Sequence, residues 1–211
     1  THNILRNVED RANRMAITQE DVILMFMPLF HVFAYGEGPV SALQSGARLV
    51  LTQTFDPEQV LDLLEQERAS VSYGFDTHVK DLLEAQARRA RDVSCLRTLF
   101  TVAGMHSSTP IARRANEALC PTITGYGMTE CYVGACLSFP TSTLSQRIES
   151  SGFPAPGYEI RVVDPDTGAE QPPELSFPND LEVQENSRIE VVIHAGDFDK
   201  ALYFAIERKI K

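Results

Sequence analysis

Short apolar runs alternate along this chain with longer segments in which apolar residues recur every three or four positions. The runs have the length and composition of buried strands, and the segments between them have the period of helices that cover a sheet. The strand-type runs lie at residues 48–51, 71–73, 98–102, 122–124 and 159–163. Strands and helices that take turns along a chain are typical of one fold class. The pattern predicts an α/β fold with a largely parallel sheet flanked by helices.

Three amphipathic helices are predicted between these runs. The first follows Asp56, a capping residue, and Pro57, which suits a first helical turn. Its inward residues are predicted to be Val60, Leu63 and Leu64. The second is predicted over residues 79–89 with Leu82, Leu83 and Ala87 inward, and the third from Thr109 with Ile111, Ala115 and Leu119 inward.

Composition and charge narrow the class of function. With 211 residues, of which 43% are hydrophobic, the chain can form a substantial core. Its net charge of -10 argues against a nucleic-acid or anionic-membrane surface, which needs a basic patch. No apolar run has the length of a transmembrane segment and the first residues do not resemble a signal peptide, so we expect a soluble, cytoplasmic protein.

Four cysteines, at positions 95, 120, 131 and 136, lack the paired spacing of a metal site and the density of a disulfide scaffold. We therefore expect reduced, mostly buried thiols. A zinc site built from Cys131, Cys136 and a distant histidine is the less favoured alternative.

The segment Gly125-Tyr126-Gly127-Met128-Thr129-Glu130 carries the most specific chemistry. Its two glycines allow a tight turn and a close approach to a ligand, while Tyr126 offers a flat face for a base. Thr129 offers a hydroxyl to a phosphate oxygen, and Glu130 offers the kind of oxygen ligand that Mg²⁺ takes beside nucleotide phosphates. On this segment alone, an ordinary glycine turn followed by a solvated glutamate explains the residues equally well.

Three further motifs accompany this segment in a fixed order. They read PLFHVFAYG at 28–36, VAGMH at 102–106 and GFPAPG at 152–157. Together with GYGMTE at 125–130, they resemble successive core motifs of the adenylate-forming superfamily, which includes acyl-CoA synthetases, luciferases and peptide-synthetase adenylation domains. The resemblance covers about residues 1–173 and implies part of the large N-terminal domain of an acyl-CoA synthetase-like fold.

The resemblance also implies roles for individual residues. The residues implied to contact the nucleotide are Gly104, Met105, His106, Gly125, Tyr126, Gly127, Met128 and Thr129. Of these, Tyr126 would pack on adenine and Thr129 would contact a phosphate. Glu130 would bind Mg²⁺, and catalytic roles would fall to Thr129, Glu130 and His31. The acid would contact His31, Phe33, Tyr35 and Gly36. Without the resemblance, a histidine in an aromatic run such as His31 is more simply a core residue.

The reaction that the resemblance implies is ATP-dependent activation of a fatty or aryl acid to an acyl-adenylate, and then to a coenzyme A thioester. ATP, Mg²⁺ and coenzyme A are therefore the expected cofactors and co-substrate. The family's lysine-containing phosphate loop and C-terminal lysine domain are not found in the sequence, so we expect activity only in a fuller enzyme. Two alternatives remain open: a fragment or pseudoenzyme that binds nucleotide or acyl-adenylate without turnover, and a peptide-synthetase type of adenylation domain.

Residues 174–211 depart from the family pattern and are expected to form a divergent tail of one strand, at 188–194, and one amphipathic terminal helix. Within this tail, Asp197 faintly resembles a ribose-binding aspartate. Elsewhere, Asp76 and His78 are interpreted as a helix cap and an exposed side chain rather than a catalytic dyad. Arg88, Arg89 and Arg91 are interpreted as a solvated helix end rather than a phosphate clamp.

Overall fold

A five-stranded parallel sheet forms the centre of the protein. The structure is a computed structural model that describes residues 2–102, 107–163, 188–193 and 202–207. The strands follow the order β2-β1-β3-β4-β5 and are all parallel. Their bounds are Val22–Met25 (β1), Arg48–Leu51 (β2), Val71–Gly74 (β3), Thr98–Thr101 (β4) and Thr122–Ile123 (β5). The predicted α/β class is confirmed, and β1 is a central strand that the sequence patterns did not indicate.

Helices cover this sheet and connect its strands. The α-helices are His2–Arg14 (α1), Val32–Tyr35 (α2), Ser41–Ser45 (α3), Pro57–Gln66 (α4), Asp76–Arg88 (α5), Thr109–Ala118 (α6) and Leu144–Ile148 (α7). A π-helical turn, Gly36–Val40, joins α2 to α3, and a 3₁₀ turn occupies Thr129–Cys131. Among the described residues, no helix combines the length and the apolar character needed to cross a membrane.

The three predicted helices are present, with changes in which residues face inward. Asp56 caps α4 as expected, since its Oδ1 accepts a hydrogen bond of 2.9 Å from the Gln59 amide. Leu61 is fully buried in α4, whereas Leu63 is only half-buried. In α5 the buried alanine is Ala85 and not Ala87. Helix α5 packs between α4 and α6, and Ala85 lies on the buried face with Val79, Leu82 and Leu83, whereas Ala87 is exposed. In α6, Ala115 is buried as predicted and is joined by Ala112, while Ile111 and Leu119 are half-buried.

One contiguous hydrophobic core lies against both faces of the sheet. Ile23, Leu24 and Met25 of β1 are all fully buried, which fits a strand covered on both sides. Three of the four cysteines are buried and all four are free thiols, as expected. Burial raises the pKa of Cys120 and of Cys136 to about 12. Within the described residues, no three side chains of His, Cys, Asp or Glu converge on a metal site.

Two small antiparallel sheets follow the parallel one. The first contains Gly125–Tyr126 (β6), Cys136–Leu137 (β7) and Phe153–Pro154 (β8), and the second contains Tyr158–Val163 (β9), Arg188–Ile193 (β10) and Leu202–Glu207 (β11). The run at 159–163 is therefore a strand, but in a separate sheet. The terminal helix predicted for the tail is wrong over 202–207, where aromatic and β-branched residues favour a strand that pairs with β10 along its whole length.

Two interpretations of polar side chains also need correction. Arg91 is not solvated: its side chain is 1% exposed and bonds Glu58 and Asp62, so it joins α4 to the segment that follows α5. His78 is half-buried rather than exposed. Its Nδ1 accepts a 3.1 Å hydrogen bond from the Phe75 amide, so the imidazole itself caps α5.

Candidate active site

A cavity of about 420 Å³ opens at the carboxyl ends of the parallel strands. Open α/β sheets place ligand sites at this edge, and the volume is in the range of small-molecule pockets. The wall is formed by residues 31–33, 125–130, 132 and 133 together with Arg11, Phe75, Phe100 and Val102. Most of these residues lie in the segments that come after β1, β3, β4 or β5, so the sheet gathers segments that are far apart in sequence.

An antiparallel hairpin with a long connection shapes the wall around the 125–130 segment. β6 pairs with β7, and the Ala135 amide donates a 2.8 Å hydrogen bond to the Tyr126 carbonyl oxygen. A Cβ atom on Gly127 would lie 2.6 Å from the Gly134 Cα and inside contact distance of the Val133 carbonyl oxygen. This close approach is the physical reason for a glycine at position 127.

Exposure divides the cavity into a mouth and an inner end. His31, Thr129 and Glu130 are exposed and form a polar mouth. Phe33, Phe100 and Val133 are 6%, 4% and 5% exposed and form an apolar inner end. A ligand with a polar head and an apolar body fits this gradient.

His31 is held in one orientation by the helix it precedes. Its Nδ1 accepts a hydrogen bond of 3.3 Å from the Phe33 amide, which caps α2. The ring also makes an edge contact with Phe75, at 6.3 Å between centroids. Because Nδ1 is an acceptor, the neutral imidazole carries its proton on Nε2. His31 therefore presents an N–H donor on its other side, and it is not buried in the core.

Aromatic contacts fix the inner wall. The Phe33 ring lies 4.9 Å from Phe100 and 5.9 Å from Tyr73 and from Phe75, measured between centroids. Packing of this kind holds side chains in single rotamers, so the wall is largely pre-formed.

The structure brings together most of the residues singled out in the sequence. His31, Phe33 and all of residues 125–130 line the one cavity. Tyr35 and Gly36 do not: Tyr35 is 50% exposed, and Gly36 lies behind the wall, where a Cβ would meet Val133. Gly104, Met105 and His106, like Asp197, lie outside the described residues.

Five wall residues lie outside the four sequence motifs, and two of them, Tyr132 and Arg11, have unusual environments. Tyr132 follows the 3₁₀ turn with a φ of 69°, a backbone conformation that residues other than glycine rarely adopt. Arg11 comes from α1, where its side chain is 2% exposed and pairs with the equally buried Glu37. Local sequence gives no signal for Arg11, because the contacts that place it are with residues 26 and 125 positions away.

Helix α1 braces the hairpin from behind. Asn7 Nδ2 donates hydrogen bonds to the Gly134 carbonyl oxygen at 2.8 Å and to the Tyr158 hydroxyl at 3.0 Å. Arg14 donates to the carbonyl oxygens of Phe153 at 3.0 Å and Pro154 at 2.6 Å. These bonds satisfy backbone groups of the loop-rich region and fix it against the parallel sheet.

The mouth has the chemistry to hold Mg²⁺ only together with a nucleotide. Glu130 supplies one exposed carboxylate and Thr129 a hydroxyl beside it. Mg²⁺ on nucleotide phosphates takes one or two protein carboxylates and completes its shell with phosphate oxygens and water. The residues present therefore fit a phosphate-bound magnesium ion rather than an all-protein metal cage.

Known proteins with similar sequences share one type of activity. The chain is 33% identical over 165 residues to the medium-chain fatty-acid–CoA ligase of Escherichia coli (strain K12), and 29% identical over 170 residues to an acyl-CoA ligase of Ajellomyces capsulatus. These alignments cover 78% and 79% of this chain but 29% of each relative, so the chain spans less than a third of their length.

Solved structures agree on the fold. The O-succinylbenzoate coenzyme A synthetase of Bacillus subtilis, in complex with ATP and magnesium ion, superimposes with a TM-score of 0.71 at 22% identity, covering 94% of this chain and 38% of that one. The model of the AMP-binding enzyme family matches residues 1–176, which include the whole of the cavity wall. The chain therefore belongs to the AMP-binding enzyme family.

Proposed function

We propose that the protein activates a carboxylic acid with ATP to an acyl-adenylate and then transfers the acyl group to coenzyme A. The observation that carries this proposal is that His31, Phe33 and residues 125–130, which are far apart in the sequence, line the same cavity. The relatives named as fatty-acid–CoA and acyl-CoA ligases support the same reaction class. The activity is proposed for the full-length gene product, with residues 1–173 as the central part of its adenylation domain and 174–211 as a divergent tail.

In the first half-reaction, a carboxylate oxygen of the acid attacks the α-phosphorus of ATP, and the bond to pyrophosphate breaks. In the second, the coenzyme A thiol loses its proton to water, its sulfur attacks the acyl carbon, the bond from that carbon to the phosphate oxygen breaks, and AMP leaves. The ionised carboxylate needs no general base for the first attack, so the main task of the protein is to hold the reacting atoms in line.

Each of several wall residues has a separate role in holding the reactants. Tyr126 stacks on adenine, and the Thr129 hydroxyl donates to a phosphate oxygen. The Nε2 proton of His31 faces the acyl-adenylate at the mouth, while Phe33 contacts the acyl group. Glu130 would hold Mg²⁺, which neutralises charge on the phosphates when it is bound.

Pyrophosphate release tests the proposal. The full-length protein is incubated with ATP, Mg²⁺, coenzyme A and a panel of fatty and aryl acids. Released pyrophosphate is quantified, and acyl-CoA is measured by mass spectrometry. Glu130→Gln is expected to lower kcat by about 100-fold, because the phosphate-bound ion loses its protein carboxylate. Glu117→Gln, at an exposed position on α6, is the matched control and is expected to keep the wild-type rate.

Each result has a defined meaning. If the wild type releases no pyrophosphate with any acid, the proposed activity is wrong. If pyrophosphate is released but no thioester forms with coenzyme A, only the second half-reaction is wrong. If Glu130→Gln matches Glu117→Gln, the assignment of the magnesium ligand is wrong.

A further inference from the structure

The inner end of the cavity contains an ion pair that the proposed reaction does not use. Arg11 lines the cavity, and the side chains of Arg11 and Glu37 are 2% and 1% exposed. Arg11 donates through Nε to Glu37 and through Nη1 to the Cys136 carbonyl oxygen at 3.3 Å. Among the described residues, Arg11 Nη2 has no acceptor within hydrogen-bond distance.

Packing alone does not account for this pair. Apart from the Tyr73 hydroxyl beside Glu37, the side chains around the pair in the inner wall are apolar, and the Arg11 guanidinium lies 5.8 Å from the centre of the Phe100 ring. Placing two charges in such surroundings costs free energy, and apolar side chains of similar volume often replace a buried pair without loss of stability. A donor that remains free at a cavity wall is instead what recognition of a polar ligand group requires.

The charge of the pair narrows the ligand class. Glu37 already neutralises Arg11, so a second carboxylate at the inner end would be repelled by Glu37 and would lose its hydration. A neutral oxygen can accept from the guanidinium without adding charge. On the basis of the proposed function, we propose that the Arg11–Glu37 pair selects acids that carry a neutral hydrogen-bond acceptor, such as a keto or ether oxygen, at the end remote from the carboxylate.

The orientation of the acid follows from the exposure gradient. The reacting carboxylate has to lie at the mouth, beside Thr129 and Glu130, where ATP and its magnesium ion have access. The remote end then passes Phe33 and reaches the buried wall that holds Arg11. A purely hydrocarbon end would cover the free donor without bonding it, which costs affinity.

Three stable acyl-sulfamoyl adenosine analogues of equal chain length test this selectivity on the full-length protein. They differ only at the remote end, which is a methyl ketone, an alkyl group or a carboxylate. Calorimetric titration of the wild type is expected to show about tenfold tighter binding of the keto analogue than of either other analogue. This comparison needs no variant and does not depend on the folding of one.

A double substitution tests whether the Arg11–Glu37 pair causes the preference for the keto analogue. Arg11→Met with Glu37→Leu removes both charges together, so neither is left buried alone, and the keto-to-alkyl affinity ratio is expected to fall to about one. The matched control is Arg113→Met with Glu149→Leu, a surface pair that joins α6 to α7 and lies outside the cavity. Its ratio is expected to equal that of the wild type.

The outcomes separate this inference from the proposed function. Binding of no analogue by the wild type would overturn the proposed function and this inference with it. Equal binding of the keto and alkyl analogues, or tighter binding of the carboxylate, would overturn the inference alone. A keto preference that persists in the Arg11 and Glu37 double variant would also overturn it, since another group would then be responsible.

Discussion

Tyr132 combines a strained backbone with a place in the cavity wall. Its φ of 69° and ψ of -105° are unfavourable for a residue with a Cβ atom. Its hydroxyl is buried and has no hydrogen-bond partner among the described residues, and burial, followed by the proximity of Tyr35, raises its pKa. Strain of this kind costs about 1–3 kcal/mol and persists only where the surroundings enforce it.

The strain at position 132 can be measured by comparing two truncations. Tyr132→Ala and Tyr132→Gly both remove the ring, but only glycine adopts this backbone without strain. We expect the glycine variant to be more stable than the alanine variant by about 1 kcal/mol in urea unfolding. At Ala87, an exposed position in the helix α5, Ala→Gly is expected to destabilise by about 1 kcal/mol, the opposite sign. Equal stability of the two Tyr132 variants would contradict the inferred strain.

The ring of Tyr126 carries the adenine assignment. Stacking of a base on an aromatic ring contributes about 1–3 kcal/mol, so Tyr126→Ala is expected to weaken binding of an acyl-sulfamoyl adenosine analogue by about tenfold or more. Tyr126→Phe keeps the ring and is expected to bind within about twofold of the wild type. Calorimetric titration measures both affinities. An alanine variant with wild-type affinity would show that Tyr126 does not stack on adenine.

Site residues could be predicted where they form local motifs. His31, Phe33 and residues 125–130 are recognisable from short segments, and the structure gathers them in one cavity. Tyr35 alternates with Phe33 in the same motif, yet it is turned towards solvent because α2 is helical and not extended. Arg11 was not predicted because its position depends on tertiary contacts alone.

At the scale of elements, a polar cluster ties together the amino ends of three strands. Asp21 precedes β1 and accepts hydrogen bonds from the Thr18 amide at 2.9 Å and the Ser70 hydroxyl at 2.7 Å. Arg97, just before β4, bonds both carboxylate oxygens at 2.8 Å and also donates to the carbonyl oxygens of Met15 and Ala16. The cluster lies at the edge of the sheet opposite the cavity, so it contributes to stability and not to the site.

This cluster predicts an acid-dependent loss of stability. Burial raises the pKa of Asp21, but hydrogen bonds from Arg97, Ser70 and Thr18 outweigh burial and hold it below the ordinary value of 3.8. A lowered folded-state pKa gives stability that is present above the unfolded-state value and is lost as pH falls through the folded-state value. Asp21→Asn is expected to cost about 2 kcal/mol at pH 7, and the difference from wild type should shrink below about pH 4.

Urea unfolding across this pH range measures the effect, with the exposed Asp81→Asn in α5 as the control of equal charge change. The control is expected to remain within about 0.5 kcal/mol of wild type at every pH. A difference for Asp21→Asn that is independent of pH would show that the lost interaction is not that of an ionised carboxylate.

Elements could be predicted where one face is apolar and the ends carry local signals, as in α4 with its Asp56 cap. β1 was not predicted because its continuous apolar sequence has no period, and such a run is equally compatible with a buried helix. α1 was not predicted because its inward face is partly polar: Asn7 and Arg11 are buried beside Val8 and Ala12. These polar residues face backbone groups of a distant hairpin, and nothing in the first residues of the chain encodes that partner.

For the molecule as a whole, α1 connects the parallel sheet to the small sheets that hold residues 125–130. Asn7 is 4% exposed and bonds Gly134 and Tyr158, which are 127 and 151 positions away. The Tyr158 hydroxyl in turn donates to the Cys131 carbonyl oxygen at 3.2 Å, at the end of the turn that holds Thr129 and Glu130. The position of the mouth therefore depends on a helix that contributes only Arg11 to the described cavity wall.

This dependence predicts that Asn7→Ala weakens ligand binding without removing a ligand contact. Loss of two hydrogen bonds frees the hairpin to shift, and affinity for the acyl-sulfamoyl adenosine analogue is expected to fall by about tenfold. Asn116→Ala is the matched control, because Asn116 is a partly buried asparagine that bonds Thr122 and Arg147 away from the cavity. If both variants lose similar stability in urea but only Asn7→Ala loses affinity, the effect comes from the brace. If they lose affinity equally, general destabilisation explains the result, and α1 has no specific role in positioning the mouth.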